Sequence, residues 1–369
     1  MKIGILTLPL HTNYGGILQA WALQTVLEDM GHNVCVFGIK PEKSHSQLLM
    51  PLVWGKRTLK KMLTKDETPI FAEIRTKKKH SIKFSSIDRF ISHRIKTKKI
   101  PALSKIKYED FDTIVVGSDQ IWRLEYIDWL WKTKKFEEAF LSFIDENKPK
   151  RIAYAASLGV ADWNFNKETT SLIAKALNKF QAISVREISA VDILKESTNV
   201  NADFVCDPTM LLSAKEYIER LNINPDTNTG IISYILDPND NTTELIKSVS
   251  KAHNAAITEI NMPDKNGSYI SVEEWVRKIA STKMVVTDSF HGCVFSIIFR
   301  KPLIFIGNTS RGNARFDSLI RTFGLHKNML SDISEFDPSF SYNLPEDIDA
   351  RIEKLRNYSY SFIKNNLNA

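Results

Sequence analysis

Cysteine is scarce: the 369 residues hold three, Cys35, Cys206 and Cys293, far apart and outside any metal-ligand spacing. That argues against a disulfide-stapled scaffold and against a zinc centre, and it suits a reducing cytoplasm. No apolar run is long enough to cross a bilayer. The first ten residues carry one lysine and run straight into a polar turn, so they read as a first strand and not as a leader. No G-x-G-x-x-G follows that strand, and no acidic residue stands at the distance that closes a dinucleotide site, which argues against nicotinamide or flavin binding. Internal repeats and low-complexity tracts of note are lacking as well.

What is present is ordinary globular material, 43% hydrophobic and 25% charged. The chain exceeds what one core usually organises, so two domains are expected. The formal charge of +7 is unevenly spread. Between residues 56 and 107 lysine and arginine greatly outnumber acids, with the runs Lys77-Lys78-Lys79 and Lys96-Thr97-Lys98-Lys99. Such a block is either a solvated face or a surface for a phosphate-rich partner or an anionic membrane.

Hydrophobic periodicity then orders the chain. Residues 2–8 read as a strand, 11–16 as a polar turn, 17–30 as a helix and 33–39 as a strand, the opening of a doubly wound α/β unit. Residues 41–107 read as a basic insertion of helices and loops. Strands follow at 112–116, 151–156, 182–185 and 203–206, with helices at 167–180 and 188–195. After a polar stretch at 222–229, a second alternating unit has strands at 230–236, 256–260, 284–287 and 302–306. A terminal amphipathic helix begins at residue 346. This divides the chain into residues 1–208, 209–345 and 346–369.

In open α/β sheets, loops at the carboxyl ends of strands line the ligand crevice, and several polar turns fall there. Asn13, Tyr14, Gly15 and Gly16 follow the first strand, either lining a cleft or shaping the turn, with the glycines allowing close backbone approach. Asp119 and Gln120 follow the strand at 112–116, and Asp119 is either a binding group or a helix cap. Arg186 ends the strand at 182–185, where it can hold a carboxylate or phosphate or pair with Glu187 or another acid. Residues 284–299, MVVTDSFHGCVFSIIF, place Ser289, His291 and Gly292 where a strand hands over to a helix N-terminus. That is a favoured place for an anion, and an imidazole there can add a proton. Arg311 and Arg315, four apart, offer further cationic contacts. Trp122, Trp129 and Trp131 are core or a platform for a sugar ring.

The set NYGGILQAWALQ, VVGSDQIW, AYAASLG, SVRE, DPTMLL, VVTDSFHGCVFSIIFRKP and SRGNARFDSL, in this order and spacing, resembles the polysaccharide pyruvyltransferase family over nearly the whole chain. The resemblance implies a GT-B-like fold: two Rossmann-like domains facing a cleft, the first on the acceptor side and the second on the donor side, with a C-terminal helix returning to the first. It implies transfer of a pyruvyl group from phosphoenolpyruvate to two hydroxyls of a saccharide as a cyclic ketal, in bacterial surface or capsular polysaccharide synthesis. His291 and Arg186 match the family's donor-contacting histidine and arginine. Ser289 departs from it, since many members carry arginine there, and Arg311 or Arg315 would supply the missing charge.

The residue types suit this chemistry. An anionic donor needs cations and free N–H groups, which Arg186, Arg311, Arg315 and the helix start at Ser289 and Gly292 supply. His291 is the general acid and Asp119 the base for the acceptor hydroxyl. No cofactor and no metal are expected, phosphoenolpyruvate being a substrate. The expected partners are a saccharide or lipid-linked oligosaccharide acceptor and peripheral contact with an anionic membrane at its cytoplasmic face, without nucleic acid. The competing readings are a GT-B glycosyltransferase with a nucleotide-sugar donor and a non-catalytic anion- or membrane-binding protein.

Overall fold

The computed structural model describes residues 1–39, 82–131, 133, 135–145, 148–226, 230–307 and 314–368. Seven strands, β1 (Lys2–Leu6), β2 (Asn33–Ile39), β3 (Thr97–Ile100), β4 (Thr113–Val116), β5 (Lys150–Ala156), β6 (Ala182–Val185) and β7 (Asp203–Phe204), form one sheet in the order β3-β2-β1-β4-β5-β6-β7. Five more, β8 (Ile231–Tyr234), β9 (Ile257–Glu259), β10 (Met284–Thr287), β11 (Leu303–Ile306) and β12 (Met329–Leu330), form a second sheet in the order β12-β11-β10-β8-β9. Every pairing is parallel. Parallel strands are covered on both faces, which is why β4, β8, β10 and β11 are buried at every position and read as unbroken apolar runs.

The helices among the described residues are α1 (Tyr14–Asp29), α2 (Ser85–Arg94), α3 (Leu124–Trp131), α4 (Lys167–Leu177), α5 (Ile188–Thr198), α6 (Ala214–Leu221), α7 (Asp240–His253), α8 (Val272–Ser281), α9 (Phe290–Ile298), α10 (Ala314–Phe323) and α11 (Ile348–Asn368). None is long and apolar enough to cross a membrane. Strand order reverses beside β1 and β4 in the first sheet and beside β10 and β8 in the second. Crevices open at such reversals, and here the two face each other.

The halves share one core, running from Ile3 and Val36 through Tyr14 and Trp275 to Val285 and Phe305. Helix α1 is buried at nearly every position from Tyr14 to Leu27, because it is packed on more than one side. The Tyr14 ring stacks on Trp275 at 5.5 Å and its hydroxyl donates to the Ile270 carbonyl at 2.9 Å. Helix α11 returns to the first half: Arg356 Nε donates to the Met210 carbonyl at 2.7 Å, and Ser359 Oγ accepts the Cys206 N–H at 2.9 Å.

Two expectations need correction. Tyr14 is no cleft residue: Asn13 caps α1 by accepting the Gly16 N–H, so the helix begins at Tyr14 and turns its ring into the seam between the halves. The basic insertion is not helix and loop throughout. Its C-terminal part supplies α2 and the edge strand β3, whose sequence TKKI is polar because only one flank is covered. Residues 40–81, which hold most of its cations, lie outside the described residues.

Gly15 is the tightest point of the seam. A Cβ built on it would come within 2.0 Å of His291 Nδ1 and 2.1 Å of His291 Cγ. Gly15→Ala should therefore force α1 and α9 apart and destabilise the protein by about 1–3 kcal/mol, the usual cost of overpacking. Chemical unfolding measures this, and a wild-type midpoint would show that the contact does not constrain the seam.

Candidate active site

A cleft of about 260 Å³ opens where the two strand-order reversals meet. The loop after β1 brings His11, Thr12 and Asn13, the loop after β4 brings Asp119 and Gln120, and the turn after β10 brings Ser289, Phe290 and His291. Arg315 enters from the start of α10, and Tyr126 of α3 closes one side. The N-termini of α1 and α9 both point here, which favours negative charge in the cleft.

The turn after β10 divides its work among its polar residues. Ser289 caps α9, its hydroxyl accepting the Gly292 N–H at 3.4 Å. Asp288 faces the neighbouring strand end, accepting from the Leu236 and Asp237 N–H groups at 2.6 and 2.9 Å. Gly292 is needed because a Cβ would lie 2.4 Å from Thr287 Oγ1, so α9 can close against β10 only without one. His291 therefore occupies the first turn of the helix, buried, with its ring on Gly15.

Behind His291 lies a buried ionic cluster centred on Arg186. Its Nη1 donates to Asp207 at 2.6 Å and its Nη2 to Asp119 at 3.0 Å, while its Nε is 3.6 Å from Glu187. The side chain is 1% exposed. Burial would raise the Asp119 carboxyl, but Arg186, then His291 and Arg315, outweigh it and hold the group below the ordinary range. The same contest, with His291 and Arg186 as the main opponents of burial, holds Asp207 well below that range. Glu187 goes the other way: burial raises it despite Arg186 and a close hydrogen bond from the Ser157 hydroxyl. Arg315 is lowered to about 10 by burial and by the nearby Arg186 charge. Both guanidiniums lie over the Phe290 ring, at 4.8 Å for Arg186 and 5.4 Å for Arg315.

Of the sequence candidates, Asn13, Gly16, Asp119, Gln120, Ser289, His291 and Arg315 line this cleft. Gly15 and Gly292 act beneath it through close packing. Arg186 does not line it. Its guanidinium pairs inside the protein with Asp207, Asp119 and Glu187, the second of the two roles the sequence offered. Arg311 lies outside the described residues. Trp122 is core, stacked on Phe140 at 4.8 Å, while the Trp129 and Trp131 side chains lie outside the described residues. Sequence reasoning missed Asp207 and His11. Asp207 stood in view as the residue before Pro208, where the strand break hid its side-chain role.

A profile of the polysaccharide pyruvyl transferase family matches residues 13–310. Over 142 residues the chain is 27% identical to General stress protein 30 of Bacillus subtilis (strain 168), a match spanning 36% of this chain and 40% of that protein's length. The structure of UDP-GlcNAc 2-epimerase from Neisseria meningitidis bound to UDP-GlcNAc is similar with a TM-score of 0.51 at 12% identity, over 100% of this chain and 99% of that one. UDP-GlcNAc 2-epimerase from Methanocaldococcus jannaschii gives 0.50 at 11% identity, over 98% and 100%. At such identities the likeness is one of fold, α/β and GT-B-like with two parallel sheets. The family match takes in strands of both sheets and the turns that build the cleft, from Asn13 to His291. The chain belongs to the polysaccharide pyruvyl transferase family.

Proposed function

We propose that this cleft transfers a pyruvyl group from phosphoenolpyruvate to two hydroxyls of a saccharide. The observation that carries the reading is the meeting of His291, Arg315 and the N-terminus of α9 in one cleft, in a chain of this family. His291 gives a proton to the methylene carbon of the donor, and a sugar hydroxyl adds to the neighbouring carbon. The carbon–oxygen bond to phosphate then breaks, and the second hydroxyl closes the ketal. Of the two hydroxyl protons, one balances the proton now in the methyl group and the other leaves with phosphate.

Asp119 is held as a carboxylate by Arg186, which makes it a weak base but a firm hydrogen-bond acceptor. Its role is to orient the acceptor hydroxyl, with Gln120 and Asn13 beside it. Arg315 supplies the charge that Ser289 cannot. It lies beyond the matched residues 13–310, on the next helix. The lysine-rich residues 56–107 suit a lipid-diphosphate-linked acceptor at the cytoplasmic face of an anionic membrane.

Incubation with phosphoenolpyruvate and a panel of galactose-, mannose- and glucosamine-type acceptors should release phosphate and add the mass of a pyruvyl ketal. His291→Ala should lower the rate by roughly a hundred- to ten-thousand-fold while keeping the fold. No turnover with any acceptor, together with thermal stabilisation by UDP-GlcNAc but not by phosphoenolpyruvate, would favour a nucleotide-sugar enzyme instead. Arg315→Met should raise KM for the donor at least about tenfold, since a charge-assisted contact contributes about 1.5–3 kcal/mol. A KM like that of the wild type would remove Arg315 from the donor site.

A further inference from the structure

Asp207 follows β7, and all its hydrogen-bonding capacity is directed. Oδ1 accepts the Thr209 N–H at 3.0 Å and the Thr209 hydroxyl at 2.7 Å. Oδ2 accepts from Arg186 Nη1 at 2.6 Å and from the Ser118 hydroxyl at 3.4 Å. With a side chain 1% exposed and gripped at both oxygens, the carboxylate has no freedom to turn. Oδ2 also lies 3.7 Å from His291 Nε2, a contact longer than a hydrogen bond. That nitrogen is buried and has no hydrogen-bond partner among the described residues. The ring cannot retreat either, because Gly15 of α1 packs against its Nδ1 and Cγ.

The charged groups grouped with the ring come from four elements: Asp207 after β7, Asp119 after β4, Arg186 at the end of β6 and Arg315 on α10. Asp288, three residues before His291, turns its carboxylate to the Leu236 and Asp237 N–H groups.

We propose that Asp207 is the positioning residue of this site: fixed by Arg186 and Thr209, it faces the Nε2 side of His291 and stabilises the imidazolium, so that the ring meets the substrate carrying a proton. The inference rests on the reading of His291 as proton donor, and its test is separable from that reading.

Asp207→Asn keeps the shape and removes the charge. In protein with ring-labelled histidine, with the His291 signal assigned through His291→Gln, the protonated ring of Asp207→Asn should be lost at a pH roughly one to three units lower than in the wild type. The high-pH limb of kcat should move in the same direction, with KM for phosphoenolpyruvate changed less than kcat. If Asp207→Asn fails to fold, Thr209→Val, which loosens the carboxylate without removing it, is read by the same spectra. There a fall in the titration supports the proposal and an unchanged one overturns it. A His291 ring that titrates alike in wild type and Asp207→Asn overturns the proposal whether or not the protein transfers pyruvate. A shifted titration without any pyruvyl transfer leaves the role of Asp207 standing and removes the functional reading.

Discussion

The site depends on one guanidinium. Arg186 is buried, and an unpaired charge there would cost several kcal/mol in lost solvation. Asp207 and Asp119 offset that cost through direct ion pairs, and each in turn needs Arg186 to remain a carboxylate in the interior. Removing one partner of such a cluster typically costs about 3–5 kcal/mol, because a buried charge is left alone. The cluster fixes two carboxylates at once, one lining the cleft and one behind His291.

Around this centre the two sheets meet through close packing. Gly15 lets the first turn of α1 lie on the His291 ring, and Gly292 lets the first turn of α9 lie on Thr287. Two helix N-termini are thereby brought to one cleft, and their dipoles add to the field of Arg315. The seam is held by Tyr14 on Trp275 and by α11 returning to the first half, so the cleft is part of a shared core and not a gap between independent bodies. Phe290 completes the arrangement, because its ring face takes the approach of both guanidiniums.

The fold was legible where burial is symmetric. Runs such as MVVT and TIVV announce parallel strands because both of their faces are covered. Strand β3 was not legible, since TKKI on a sheet edge carries no apolar signature, and neither was the two-residue β12. The site divides in the same way. Turns at strand ends pointed to Asn13, Asp119, Gln120, Ser289 and His291, because position along a strand fixes which end of the sheet a residue joins. The partners of Arg186 could not be read: Asp207 and Asp119 stand 21 and 67 residues away, and only the strand order β4-β5-β6-β7 brings them together. Tyr14 misled for a local reason, as one residue of helix start decides whether its ring faces cleft or seam.

We propose that the donor is held by Arg315 and the start of α9, while the Arg186 charge stays paired inside the protein. A crystal structure of the protein soaked with phosphoenolpyruvate tests it most directly. The donor's anionic groups are expected against Arg315 and the first N–H groups of α9, with Arg186 still bound to Asp119 and Asp207. Density in which Arg186 has left those carboxylates to contact the donor would contradict it.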